Sequence, residues 1–178
     1  MIVRHGELTF RPASVADIDV FEAQFGDVDG AGAYQWFGFT SFAGLRREAE
    51  SRGLLGGDAN MLVIEHKGEL AGRVEWLARY WGRRDTSLCW EIAIGLLPAY
   101  RGMGIGTASQ RWLVDYLFAH TRVERIQATT DPENVAEQKC LERAGLRLEG
   151  RVRRAQWRQG AWHDQLLYAI TRDDSQPT

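Results

Sequence analysis

"CWEIAIGLLPAYRGMGIGT" (residues 89–107) passes from an apolar strand pattern through Pro98 into glycines at 102, 104 and 106. Glycine costs a helix interior about 1 kcal/mol relative to alanine, yet these glycines stand where a helical periodicity begins. Trp112, Leu113, Tyr116 and Leu117 mark the apolar face of a helix over about 104–120. A helix start leaves N–H groups without intrahelical partners and carries the positive end of the dipole. Where no Cβ intervenes, phosphate oxygens can reach that backbone. The stretch therefore predicts a strand, a phosphate-holding loop and a helix, with an ordinary glycine turn as the alternative. A P-loop would need Gly-Lys-Ser/Thr, and Gly106 is followed by Thr107 with no lysine nearby. A dinucleotide fingerprint would need a glycine at 107 and would open a βαβ unit. Here the loop follows antiparallel strands.

Working outward, "ELTFRP" (7–12) reads as a first strand, and Ser14 with Asp17 as a helix start of the capping-box type. Ile18, Phe21 and Phe25 share a face of that helix. Residues 26–42 are glycine-rich and aromatic, and a short helix is expected over about 41–51. "NMLVIEH" (60–66) and "LAGRVEWLARYW" (70–81) form a hairpin about "KGE". "TSLCWEIAIGLL" (86–97) is the fourth strand and "ERIQATT" (124–130) the fifth. "NVAEQKCLERAG" (134–145) is a helix with Gly145 at its C′ position. Two further strands flank "RQGA" (158–161). The order predicts one α/β domain over 1–172, with a mixed, mostly antiparallel sheet of six to seven strands and helices on both faces. Residues 173–178 are expected to be a polar tail.

The chain has 178 residues, 44% hydrophobic and 26% charged, which suits one soluble globular domain. A net charge of −2 speaks against a broad grip on nucleic acid or acidic membrane. No apolar run nears the roughly 20 residues of a membrane span, and the start lacks a secretory pattern, so a cytoplasmic location is expected. Cys89 and Cys140 lie in apolar patterns, and the four histidines are scattered, so no metal site is expected.

"RGMGIG" (101–106) resembles the pyrophosphate loop of the GCN5-related N-acetyltransferases, the GNAT superfamily, in which backbone amides hold the diphosphate of acetyl-coenzyme A. Residues 89–107 are similar to that family's fourth strand and loop. "DPENVAEQKCLERAGLRLEGRVR" (131–153) resembles ribosomal-protein N-terminal acetyltransferases of the RimJ/RimL type, with Leu146 where phenylalanine is usual. The resemblance covers nearly the whole chain in element order. It implies a splayed gap between the fourth and fifth strands, with the cosubstrate's pantetheine arm pairing with backbone at Ile94 and Leu96. It further implies that Arg101, Gly102, Met103, Gly104, Ile105, Gly106 and Thr107 hold the diphosphate and that Asn134 reaches the arm. Asn134 with Glu137 also fits a helix N-cap and its box partner.

The chemistry so implied is direct attack of an amine on a thioester, with no covalent enzyme intermediate. Cys140 is then expected to be a packed, inert thiol. Glu91, a carboxylate inside an apolar strand, is the candidate base, and pairing with an arginine is the alternative. The family's usual acids, a tyrosine and a serine, fall at Leu141 and Glu137. Water, Tyr168 or Tyr100 are the substitutes, and a catalytically weak cofactor-binding protein is the second reading. The acceptor side is expected at Tyr34, Trp36 and Phe37, with Glu75 and Trp76 on the third strand, where aromatic faces beside carboxylates suit a cationic amine. That amine is a protein N-terminus or a small molecule. A homodimer is possible in such a family, and the arginine-rich stretch 147–158 fits a solvated strand face, a 3′-phosphate contact or an acidic partner.

Overall fold

The computed structural model describes residues 2–175. Strands β1 (Val3–His5) and β2 (Leu8–Pro12) lead into helices α1 (Val15–Phe25), α2 (Val28–Ala31) and α3 (Ala43–Arg52). An antiparallel meander follows in β3 (Ala59–His66), β4 (Glu69–Tyr80) and β5 (Leu88–Leu96). Then come α4 (Ile105–His120), β6 (Arg125–Thr130), α5 (Val135–Arg143), β7 (Arg147–Arg158) and β8 (Ala161–Thr171). The strands make one sheet in the order β1-β2-β3-β4-β5-β6-β8-β7.

The sheet has eight strands rather than six or seven, because residues 3–5 pair with β2 as an edge strand. All three of those residues are exposed, so no alternation of apolar side chains announces them. Residues 173–175 also differ from a free tail. They form a short 3₁₀ turn in which Asp174 accepts from the Thr171 amide and hydroxyl and pairs with Arg147 at 2.8 Å. Residues 176–178 lie outside the described residues.

Period-2 alternation divides the strands between two cores. Leu62, Ile64, Val74, Trp76 and Ile92 face α4 and α5, where Leu113, Leu117 and Leu141 are fully buried. Met61 and Val63 face the other way, against Ile18 and Phe21 of α1 and Ala49 of α3. Phe10 stacks on Trp112 with ring centroids 3.7 Å apart, fixing α4 against β2. The Ser14–Asp17 capping box forms as expected, and Arg11 clamps Asp17 through both terminal nitrogens. At the end of α5, Gly145 (φ +99°) donates to the Glu142 carbonyl and Leu146 to that of Leu141. This is a Schellman closure of the kind Gly145 predicts.

One seam is unlike the rest. β4 and β5 share nine registered pairs, from Gly72↔Leu96 to Tyr80↔Leu88. β5 and β6, the parallel pair, share only Trp90↔Ile126 and Glu91↔Gln127. Beyond those two positions the strands part, and α4 and α5 close the back of the opening.

Candidate active site

The parting of β5 and β6 opens a cleft of about 700 Å³. Its walls are the free edge of β5 from Ile92 to Leu96, Arg101, Gly102, Gly104, Gly106 and Thr107 of the loop, the first turns of α5, and residues 31–35 with Phe37. Gly102, Gly104, Gly106, Thr107, Asn134, Tyr34 and Phe37 all line it, so one space gathers most of the residues singled out from the sequence.

The free strand edge follows from backbone alternation. Leu97 donates its N–H to Ala71 of β4, and a Cβ on Gly72 would meet the Gly95 carbonyl. Odd positions therefore pair with β4, and the polar groups of Ile94 and Leu96 turn into the cleft. Ile94 is open for pairing. The Leu96 carbonyl already accepts from Arg101 Nε at 3.0 Å. Arg101 also donates to the Gly30 carbonyl at 2.9 Å, so its guanidinium is a strut between the loop and α2.

At the head of the cleft Gly104 caps α4 with no side chain bonded to its first amides. Gly102 and Gly104 have φ of +74° and +79°, the left-handed region that favours glycine. A Cβ on either would meet nothing within 4 Å of the protein, so it would project into open space. Those amides, that dipole and that clearance fit a diphosphate. The side chains of Met103 and Ile105 turn away from this space, leaving their backbone amides to the loop. Met103 points to solvent, and Ile105 is buried in the core under the loop.

α5 supplies the opposite wall. Asn134 Oδ1 accepts from the Glu137 amide at 3.3 Å, which is half of the expected box. Glu137 does not return the bond. Its Oε1 accepts instead from Nε2 of Gln110, a residue of α4 that is 1% exposed, at 2.8 Å. Burial pushes the Glu137 carboxyl up to about 7, a rise that the Gln110 bond only partly opposes. Cys140 also differs from expectation. It is half-buried and lines the cleft, with its Sγ 3.7 Å from where a Cβ on Gly106 would stand.

The floor, with Asp131, Gln156 and Gln165, is backed by a buried ion pair that sequence reasoning missed. Asp131 and Arg158 are 4% and 3% exposed and pair at 2.8 Å. Burial raises the Asp131 carboxyl, but the Glu133 amide and the Arg158 guanidinium outweigh it and hold the group below its ordinary value. Gln156 accepts from both Arg158 and Gln165, and Arg158 lies over the Tyr34 ring. Tyr34 donates to the Glu133 carbonyl. Arg158 belongs to the stretch 147–158, most of which is a solvated strand face, as expected. Nothing in the local sequence signals that its last arginine turns inward to meet an aspartate 27 positions earlier.

Several expected residues lie elsewhere. Glu91 sits at the last position at which β5 pairs with β6, on the face toward α1, and does not line the cleft. Arg79 Nε (3.2 Å) and Gln127 Nε2 (3.0 Å) both donate to it, so the arginine-paired alternative is the one the structure adopts. Trp76, 6% exposed, packs edge-on against Tyr116 in the α4 core, because its strand position faces that layer. Glu75 is taken by Arg73 at 2.6 Å, and Trp36 packs against Phe39 rather than the cleft. Tyr168 is buried, with its hydroxyl toward Glu142, and Tyr100 packs beside His66, so neither reaches the cleft.

Comparison with known proteins agrees with this geometry. Residues 7–147 match the family described as "Acetyltransferase (GNAT) domain". "Probable N-acetyltransferase YjcK" of Bacillus subtilis is 36% identical over 85 residues, which is 48% of this chain and 47% of that protein. The chain therefore matches about half the length of that relative. RimL, a ribosomal alpha-N-protein acetyltransferase solved with coenzyme A, superposes with a TM-score of 0.80 at 21% identity, covering 98% of this chain and 100% of that one. Mycobacterium smegmatis RimJ, solved in complex with CoA-disulfide, gives 0.77 at 25% identity, covering 96% and 85%. With its parted strands, its glycine-capped helix and a family match over most of its length, the chain belongs to the GNAT acetyltransferases.

Proposed function

We propose that this protein transfers the acetyl group of acetyl-coenzyme A to a primary amine, either a protein N-terminus or a small-molecule amine. The observation that carries the reading is the junction of a free β5 edge with an uncapped, glycine-cleared helix start in one cleft. The α4 amides and the clearance at Gly102 and Gly104 would hold the diphosphate. Ile94 would offer backbone bonds to the arm, and Asn134, already capping α5 through Oδ1, would reach the arm with its amide nitrogen. Bound there, acetyl-coenzyme A supplies an activated acyl group, so no covalent attachment to Cys140 is needed.

The acceptor would enter past residues 31–37, where Tyr34 and Phe37 reach the cleft. The resemblance of 131–153 to the RimJ/RimL type supports a peptide N-terminus, and the aromatic segment suits a small amine equally well. The test is calorimetric titration with acetyl-coenzyme A, with ATP and NAD as controls, followed by turnover on N-terminal peptides and polyamines. Micromolar binding of acetyl-coenzyme A alone is expected. Binding of ATP or NAD in its place would overturn the reading, and binding without turnover would favour a sensing protein of the same fold.

A further inference from the structure

Glu137 is a half-buried carboxyl that the fold leaves without a charged partner. It projects from the first turn of α5, its backbone amide is used by Asn134, and among the described residues only Gln110 binds its carboxyl group. A merely structural carboxyl on an exposed helix face would turn to water or to a cation. Cations are near enough in sequence to be chosen, since Lys139 and Arg143 share the helix and line the same cleft, yet the carboxyl bonds to Gln110. Arg101 is spent on two carbonyls and Asp131 on Arg158. Gln110 is itself costly, being fully buried with its Oε1 unpartnered. A buried amide and a half-buried carboxyl are thus kept beside a cleft where apolar side chains would pack as well.

Their depth indicates a use. α4 and α5 run along the back of the opening in two rungs. The upper rung is Gly106 against Cys140, next to the glycine loop. The lower rung is Gln110 against Glu137, one helical turn further along α4 from the loop, and Glu137 lines the cleft. An arm anchored by its diphosphate at the loop and laid along β5 passes Cys140 first and brings its far, reactive end to Glu137.

We propose that Glu137 donates a proton to the departing thiolate, with Gln110 as the residue that positions it. The inference rests on the acetyl-coenzyme A reading above. The amine nitrogen bonds to the acetyl carbon, the carbon–sulfur bond breaks, and its electron pair passes to sulfur. Sulfur takes the proton of the Glu137 carboxyl, the nitrogen releases its surplus proton to solvent, and Glu137 regains a proton from solvent. Burial supports the role, because a carboxyl pushed up to about 7 keeps a substantial protonated fraction in neutral solution and is largely protonated in mildly acidic solution. This is the acid lacking from the pattern in which Leu141 replaces a tyrosine and Glu137 a serine.

The test uses coenzyme A itself and needs no acceptor. The ionisation of its thiol, bound to the wild type and to Glu137→Gln, is followed by thiolate absorbance across a pH series. An ionised carboxylate touching the sulfur disfavours the thiolate, so the bound thiol should ionise roughly one unit lower in Glu137→Gln. Glu137→Ser, which also removes the charge, should give the same shift and serves if the glutamine variant folds poorly. A carboxyl that only ties α4 to α5 would leave the thiol unmoved in both variants, and that result would overturn the proposal. Failure of the wild type to bind coenzyme A is a separate result, visible before any variant is made. It would remove the cosubstrate reading and the proposal with it.

Discussion

Glu137 has a consequence that can be measured without any ligand. Its folded value of about 7 stands above its ordinary 4.5, so between those values the folded state holds more protons than the unfolded chain. Stability from this site is complete below about pH 4.5 and is lost as pH rises through 7. Glu137→Gln keeps an oxygen for Gln110 and carries no charge, so it should escape that loss. We expect it to be more stable than wild type by roughly 1–3 kcal/mol at pH 8, with the gap closing by pH 5. Denaturant unfolding at the two pH values measures this, and an equal gap at both would mean that the carboxyl is not held neutral. Glu91 shows the other fate of a carboxylate in an apolar strand. Arg79 and Gln127 satisfy it, and the alternation that places it on the α1 face was visible in the sequence while its partners were not. Trp76 teaches a related lesson, since strand position decided its face but the sequence did not say which face would carry the cleft.

Elements were the most legible scale. The Ser14–Asp17 box, the Gly145 closure and the helix beginning among the glycines each rest on a few adjacent residues, and all three formed. What escaped were contacts between elements. β1 has no apolar face to reveal it and exists because β2 offers an edge. The Asp131–Arg158 pair joins the turn before α5 to the end of β7, and no local pattern encodes it. Its energetic weight is correspondingly large. Asp131→Asn would leave Arg158, 3% exposed, buried beside a neutral group, and should cost about 3 kcal/mol at pH 7. Because the Asp131 carboxyl is held below its ordinary 3.8, the pair contributes fully above that value and fades as pH falls through the folded value. The penalty measured by unfolding should therefore shrink in strong acid. A penalty independent of pH would point to lost packing instead of a lost charge pair.

For the whole molecule, the gap between two strands was legible only through family resemblance, because no single strand records where its neighbour leaves it. The two pairs between β5 and β6 are the shortest pairing in an otherwise continuous sheet. α4 and α5 hold the two halves from behind, and a molecule spanning the glycine loop, the β5 edge and α5 would brace them from the front. Filling the cleft should therefore stabilise the whole protein. Acetyl-coenzyme A at 100 times its dissociation constant contributes about 2.7 kcal/mol by mass action, which in a domain of this size raises the unfolding temperature by roughly 5–10 °C. Gly104→Ala separates the loop from the rest. Its φ of +79° costs the variant about 1 kcal/mol of its own, and its new methyl meets no protein atom within 4 Å. The variant should thus fold with a modestly lower unfolding temperature and lose most of the shift at the same ligand concentration. Should the shift persist undiminished, the diphosphate would have to lie away from the α4 start, and the depth assigned to Glu137 would lose its anchor.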